Sequence, residues 1–251
     1  MIISRKHKYI FIAHPSSGGT AIMNELLENY DGEILYHKHC NYPPLINDPS
    51  IKNLKDNFVF GVVRDPIDKS FSEYNKIKFN ANNQYTNENF FIENGGNVSK
   101  KMRKVYYKVK KLKSFEEYLK FRYRFKLYHD WVTINSPYLN GIIRFDKISK
   151  DFELIIKKLN LPLKRSLPQI NKTSKKDSEN YLNPKIKKRI FGPYYNFNSK
   201  IFEESKQKKI SFIIKIYYKI LNYIYVKLVT KKDTNFIQQK RGLNHKWKEL
   251  F

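Results

Sequence analysis

The sequence predicts an α/β protein built on an open, largely parallel sheet covered on both faces. Two observations predict it. Three short apolar runs, at 9–13, 58–63 and 141–145, are continuous and rich in β-formers, the pattern of a strand buried on both sides. Between them, apolar residues recur at helical spacing, and strands that alternate with helices form parallel sheets. The 251 residues suit one α/β domain or two small ones. Hydrophobic residues are 41% of the chain and charged residues 29%, which supplies a core and excludes wholesale disorder.

The first strand is Tyr9-Ile10-Phe11-Ile12-Ala13. A Pro15-Ser16-Ser17-Gly18-Gly19 turn follows, then Ile22, Met23, Leu26, Leu27 and Tyr30 at the spacing of a helix. The second strand ends at Arg64. Asp65-Pro66 then opens a helix to about Phe79, with proline suited to the first turn. Residues 80–100 are rich in Asn and contain Gly95-Gly96, which predicts a loop or a poorly ordered insertion. Residues 101–113 are strongly basic. Ser114 and Glu117 have the spacing of a capping box, so a helix starts there. The third strand is Gly141 to Phe145. Ser149 is placed to cap a helix with Phe152, Ile155, Ile156 and Leu159 on its apolar face, stopping near Pro162. Residues 164–176 are basic and polar. In the tail, 206–251, Phe212, Ile213, Ile216, Ile220, Tyr223 and Ile224 form a helical stripe, with Lys215, Lys219 and Asn222 elsewhere on the wheel. Such a helix either lies on an anionic membrane surface or packs against the core or a partner subunit.

Lys and Arg number 49 against 23 Asp and Glu, a net charge of +26. That imbalance calls for an anionic partner: nucleic acid, membrane surface, phosphorylated cofactor or acidic polymer. Cys40 is the single cysteine, so an intramolecular disulfide and a Cys-rich zinc site are excluded. No secretory signal is visible, and the apolar stretch 210–229 is interrupted by three lysines. A cytoplasmic protein, peripheral on the inner membrane surface if its tail binds lipid, is the expectation.

The strand, glycine turn and helix at 9–30 form the sharpest local feature. Gly18 and Gly19 let backbone N–H groups face a phosphate at a helix N-terminus, and Thr20 adds a hydroxyl. The same pattern also serves as a tight turn with glycines for packing. No Gly-Lys-Ser or Gly-Lys-Thr occurs in the chain, which argues against ordinary nucleoside triphosphate hydrolysis. Arg64 stands at a strand end, and Ser72 follows eight residues later on the next helix. An arginine fork and a hydroxyl so placed grip one phosphate together. Otherwise Arg64 pairs with Asp65 or Asp68 and Ser72 faces solvent.

Together these motifs resemble the sulfotransferases that use 3′-phosphoadenosine 5′-phosphosulfate. In that family a Pro-Lys-Thr-Gly-Gly-Thr-Ser type loop holds the 5′-phosphosulfate, and here the stretch is His14-Pro15-Ser16-Ser17-Gly18-Gly19-Thr20-Ala21. A strand-end Arg and a Ser eight residues on hold the 3′-phosphate, matching Arg64 and Ser72. Ile142-Ile143-Arg144-Phe145-Asp146 resembles the family's late strand and acidic residue. Leu167-Pro168-Gln169-Ile170-Asn171-Lys172-Thr173 resembles its donor-covering loop. Tyr195-Asn196-Phe197-Asn198 with Phe202 resembles its C-terminal Tyr-x-x-Asp-x-x-x-Phe, with Asn198 in place of Asp. The resemblance spans 9 to about 202. It implies a P-loop NTPase-like three-layer fold over 1–205, within which the Asn-rich and basic stretch 80–113 is a candidate acceptor-side insertion; the basic tail at 206–251 lies beyond the resemblance.

The resemblance also implies the site. Ser16, Ser17, Gly18, Gly19, Thr20 and Ala21 would hold the phosphosulfate, Arg64 and Ser72 the 3′-phosphate, and Asn171, Lys172 and Thr173 would close over the nucleotide. Tyr36-His37-Lys38-His39 is similar to the Tyr-His-Gly-His stretch of uronyl 2-O-sulfotransferases, which implies His39 as the base with His37 assisting or substituting. A sugar hydroxyl must lose its proton as it attacks sulfur, and imidazole is suited to take it near neutral pH. The mechanism requires no metal. The acceptor is then a carbohydrate, with anionic and lipid-linked glycans among the candidates, and the basic residues between 100 and 113 either contact it or form a solvated face.

One departure matters. The family's loop lysine falls at Ser16, and a cation there offsets charge on the departing phosphate oxygen. Lys38, Lys172, Lys175 or Lys176 can substitute. Alternatively Ser16 leaves a slow enzyme, or a relative that binds the donor without turnover. A nucleic-acid-binding protein is the competing class, favoured by charge and by 16% aromatic residues. Against it, the basic residues are spread along the chain and no nucleic-acid motif appears.

Overall fold

The computed structural model describes residues 1–168 apart from 37, 47, 49–50, 52 and 125–133, and beyond them residue 190 and helical positions between 212 and 228. The chain divides into two compact units. Met1–Arg64, His129–Asn171 and Gly192–Phe251 make the first; Asp65–Tyr128 and Lys172–Phe191 make the second.

The first unit holds a five-stranded mixed sheet. Its strands are β1 (Ile2–Ser4), β2 (Tyr9–Ile12), β3 (Glu33–Ile34), β4 (Phe58–Val63) and β5 (Gly141–Arg144), in the order β3-β1-β2-β4-β5. The predicted strands β2, β4 and β5 pair in parallel. β1 is antiparallel to both of its neighbours, so the sheet is mixed. The β1–β2 hairpin escapes the sequence reading because the residues of its turn, Arg5 to Lys8, look like a charged leader. Ser4 Oγ accepts from His7 N at 3.2 Å within that turn, and Lys8 takes a positive φ of 49°.

Alternation along the strands sorts the core. Phe11, Phe60, Val62 and Ile143 face α1 (Gly19–Asn29) and α5 (Ile148–Lys158), burying Ile22, Met23 and Leu26 of α1 and Phe152, Ile155 and Ile156 of α5. Ile3, Ile10, Ile12 and Val59 face the other way, against Leu35, Cys40, Tyr42 and Leu45. On that side the cover is an irregular segment with a 3₁₀ turn at Pro43–Leu45 instead of a helix. Burial on both faces accounts for the continuous apolar runs.

Ser149 does not cap α5. The 3₁₀ turn Phe145–Lys147 feeds straight into the helix, Lys147 is the N-cap, and Ser149 falls inside the first turn. Asp151 ties that turn to β5 instead. Its Oδ2 accepts from Arg144 N at 2.9 Å and Arg144 Nε at 2.8 Å, and Oδ1 accepts from Arg144 Nη2 at 3.0 Å.

The second unit begins with α2 (Pro66–Lys78), where the Asp65 carboxylate accepts from the backbone N–H of Ile67 at 2.8 Å and of Asp68 at 3.0 Å. Residues 101–113, read only as basic, form α3 (Lys100–Lys111), capped by Ser99. The predicted Ser114 cap is present on α4 (Phe115–Arg122), accepting from Glu117 N at 3.2 Å. Phe71 and Tyr74 of α2 pack against Phe115 and Tyr118 of α4, with centroids 5.0 Å apart for Phe71–Phe115 and 5.3 Å for Tyr74–Tyr118. The Asn-rich stretch is built and not loose. It makes three 3₁₀ turns, a bridge between Phe91 and Val98, and a small core of Tyr85, Val98 and Tyr106. Asparagine serves turns here because its side chain bonds nearby backbone and tolerates positive φ, as at Asn80, Asn82 and Asn83.

Candidate functional site

The site grows from the end of β2, where an apolar strand turns polar at His14. That ring is buried. Its Nδ1 donates to Val62 O at 2.7 Å, so the neutral ring presents Nε2 to Asn135 Nδ2 at 3.4 Å. Asn135 also donates to Asn41 Oδ1 at 2.9 Å and accepts from Tyr42 N at 2.8 Å. This buried polar knot joins the end of β2, the end of β4 and the chain at 41–42. Gly61 makes room for it: a Cβ there would stand 3.1 Å from His14 Cε1.

Beyond His14 the backbone reverses tightly. Ser17 is buried and its Oγ donates back to His14 O at 2.7 Å. Ser16 and Gly18 both take left-handed conformations, with φ of 58° and 75°. Gly18 is the N-cap of α1, and no side chain there accepts from the first-turn N–H groups. Those donors stand at the positive end of the helix dipole, a favourable seat for an anion. Gly18 must be glycine twice over, since a Cβ would also lie 2.6 Å from Phe145 Cε2. At Gly19 a Cβ would meet only ordinary contacts, the nearest 3.5 Å away.

Arg64 leaves the end of β4 and reaches this loop. It is 7% exposed, and its Nη1 donates to Ser16 O at 3.2 Å. Its guanidinium carbon lies 4.2 Å from the centroid of the Phe145 ring. Phe145 is therefore a shared wall, touching both Arg64 and the space above Gly18. The aromatic face favours the cation and fixes its plane. The Asp65 carboxylate, proposed from the sequence as an alternative partner for Arg64, caps α2.

Two more groups come from the segment after β3. Lys38 Nζ donates to Thr20 Oγ1 at 3.0 Å, which sets a second cation beside the first turn of α1. His39 Nδ1 donates to Ala13 O at 2.8 Å. With Nδ1 carrying the proton, Nε2 is the basic nitrogen of the neutral ring. The segment is anchored where Lys38 O accepts from Met1 N at 2.9 Å, and Tyr36 turns into it with a positive φ of 63°. For a bulky residue that conformation costs about 1–3 kcal/mol and persists only where packing imposes it.

Ser16, Ser17, Gly18, Gly19, Thr20, Ala21, Arg64 and His39 are thus gathered at one end of the sheet, with Lys38 among them. Ser72 belongs to α2 of the second unit and is half-buried there. His37, Asn171, Lys172 and Thr173 lie outside the described residues, as do Lys175, Lys176 and the 195–202 motif. The sequence reading missed Asn41, Asn135 and Phe145 as parts of the site. His14 carried a signal, a polar residue directly after an all-apolar strand. Asn135 carried none. Among the described residues, no group of three or more His, Cys, Asp and Glu is placed to hold a metal ion. A separate cleft lined by Arg5, Lys8, Asn53 and Asp56 opens beside the start of β2, at its other end.

Comparisons with family models, with curated proteins and with solved structures returned no match.

Proposed function

We propose that this chain is a sulfotransferase that moves a sulfuryl group from 3′-phosphoadenosine 5′-phosphosulfate to a carbohydrate hydroxyl, on a phosphate loop of the P-loop-like kind. The observation that carries this reading is the meeting of Arg64 with the glycine loop across Phe145, which sets a planar cation beside a row of uncapped helix N–H groups. A donor with two separated phosphates needs two anion seats on one wall. Arg64 supplies one, and Gly19, Thr20 and Ala21 the other. Ser72 and residues 171–173 enter on the family resemblance alone.

The chain's own groups then divide the chemistry. His39 Nε2 takes the proton of the acceptor hydroxyl as the sugar oxygen bonds to sulfur. The bond from sulfur to the bridging phosphate oxygen breaks, and its electron pair leaves with adenosine 3′,5′-bisphosphate. Lys38, held at Thr20, offsets the charge that grows on that oxygen, the role the family gives to a lysine at Ser16.

The test is transfer of radiolabelled sulfuryl from the donor to a panel of neutral and uronic-acid-containing glycans. Label is expected on at least one glycan. His39→Ala is expected to lower kcat by about 10²–10⁴ while nucleotide binding stays within about twofold. Binding of the donor with no transfer to any acceptor would reduce the chain to a donor-binding relative. No binding at all would end the proposal.

A further inference from the structure

We infer that His14 is a positioning residue: one buried imidazole fixes the glycine loop, the end of β4 and the His39 segment relative to one another. The inference deepens the transferase reading and rests on it for what is positioned. The backbone ladder between β2 and β4 ends at the pair Ile12 and Gly61. Ligands of open α/β sheets bind where neighbouring strands part beyond such an end. Here a side chain spans the parting. His14 is buried, and its Nδ1 donates to Val62 O, two residues before Arg64. Its own carbonyl accepts from Ser17 Oγ at 2.7 Å, while Ser16 O accepts from Arg64 Nη1 at 3.2 Å. These bonds close a circuit through His14, Val62, Arg64, Ser16 and Ser17. The loop therefore cannot swing away from the guanidinium without breaking a bond that water does not readily replace.

The other edge of the ring reaches the proposed base. Nε2 accepts from Asn135 Nδ2 at 3.4 Å, and Asn135 donates on to Asn41 Oδ1 at 2.9 Å. Asn41 follows His39 by two residues. The carbonyl just before His14, Ala13 O, accepts from His39 Nδ1 at 2.8 Å. The two ring nitrogens thus serve different groups: Nδ1 holds the anion seats together, and Nε2 ties in the base segment. Asn41 and Asn135 are both fully buried, so breaking this second link orphans polar groups away from water. Volume alone would be filled by an apolar side chain. A donor and an acceptor on one rigid ring require imidazole. Gly61 keeps the space for that ring, since a Cβ there would stand 3.1 Å from His14 Cε1 and from Ile12 O.

Substitution separates the two links. The amide nitrogen of Asn stands as many bonds from Cβ as Nδ1 does, and the amide oxygen of Gln as many as Nε2. His14→Asn therefore keeps the bond to Val62 O, and His14→Gln keeps the acceptor for Asn135. The experiment reads amide hydrogen exchange at 13–21 and 61–65 in the ligand-free proteins, beside titration with adenosine 3′,5′-bisphosphate and sulfuryl-transfer kinetics. His14→Ala is expected to speed exchange about 10-fold in both stretches and to weaken nucleotide binding by about the same factor. In His14→Asn, exchange and binding are expected to stay within about threefold of the parent while kcat falls by about 10- to 100-fold. In His14→Gln, binding is expected to weaken about 10-fold, with kcat at saturating donor within about threefold. A histidine that only stabilises the fold would lower binding, kcat and the urea midpoint together in all three variants, and that result overturns the inference. Parent-like exchange in His14→Ala overturns it equally. If the parent binds no nucleotide, the transferase reading fails and exchange alone decides: fast in the Ala and Gln variants with parent-like exchange in the Asn variant supports the positioning role, and any other order overturns it.

Discussion

Arg64 and Lys111 carry the same charge in opposite settings. Arg64 is buried to 7% exposure, laid against Phe145 and bonded to the loop carbonyl of Ser16. Lys111 ends α3, a helix that presents Lys101, Lys104 and Lys108 to solvent beside it. Among the described residues, most Lys and Arg are of the second kind. Such charges attract anions at long range, but salt screens them and their side chains stay free to move. A cation whose orientation is fixed before the ligand arrives acts on a bound phosphate without reorganising. The two helices that open with polar turns differ in the same way: the first turn of α3 is closed by Ser99, whereas Gly18 brings no side chain to the first turn of α1. Composition therefore singles out no part of the surface, whereas position sets Arg64 beside the first turn of α1.

The largest effect that sharpens this contrast is expected at Lys38. Lys38→Ala should lower kcat by about 10²–10³ with nucleotide binding little changed, measured by steady-state sulfuryl transfer. Adding Ser16→Lys to that variant should restore much of the loss. If Ser16→Lys alone raises turnover steeply, Lys38 does not fill the missing lysine's place.

A smaller effect separates two adjacent glycines. Gly18→Ala puts a Cβ 2.6 Å from Phe145 on a backbone at φ 75°, whereas Gly19→Ala meets nothing nearer than 3.5 Å. Urea denaturation is expected to show a loss of about 1–3 kcal/mol for the first and under about 1 kcal/mol for the second. Equal losses would mean that the loop is not held against Phe145.

The smallest effect concerns Asp151. Hydrogen bonds from Arg144, the leading cause, hold its carboxyl below the usual range, against an opposing push from burial. A carboxyl lowered in the folded state stabilises the fold above its ordinary value near 4 and loses that contribution as pH falls through the folded value. Asp151→Asn should therefore be less stable than the parent at neutral pH by about 1 kcal/mol. The gap should close in acid, followed by thermal unfolding between neutral pH and pH of about 3. A gap independent of pH would assign the effect to packing.

Much of this was legible from residues alone, for a physical reason. Strands buried on both faces must be continuously apolar, so β2, β4 and β5 announce themselves, as does the Asp65-Pro66 start of α2. The β1–β2 hairpin was not legible, because three residues flanked by charge carry no period. Ser149 misled because Ser is a good cap in isolation, while Asp151 had already tied the helix start to β5. Asn80–Asn83 read as loose for their composition, yet their turns close over Tyr85. At the site, Gly18, Arg64 and His39 were legible because their chemistry is tied to a strand end or a resemblance. Asn135 was not, since a residue that works by joining distant segments leaves no local pattern.

The most direct measurement is calorimetric titration of adenosine 3′,5′-bisphosphate into three proteins: the parent, Arg64→Ala, and a variant with Lys101, Lys104, Lys108 and Lys111 changed to Gln. Saturable binding to the parent is predicted, weakened by about 10- to 100-fold in Arg64→Ala and by no more than about twofold in the α3 variant. Binding that survives Arg64→Ala and disappears with the α3 lysines would contradict the account at its centre.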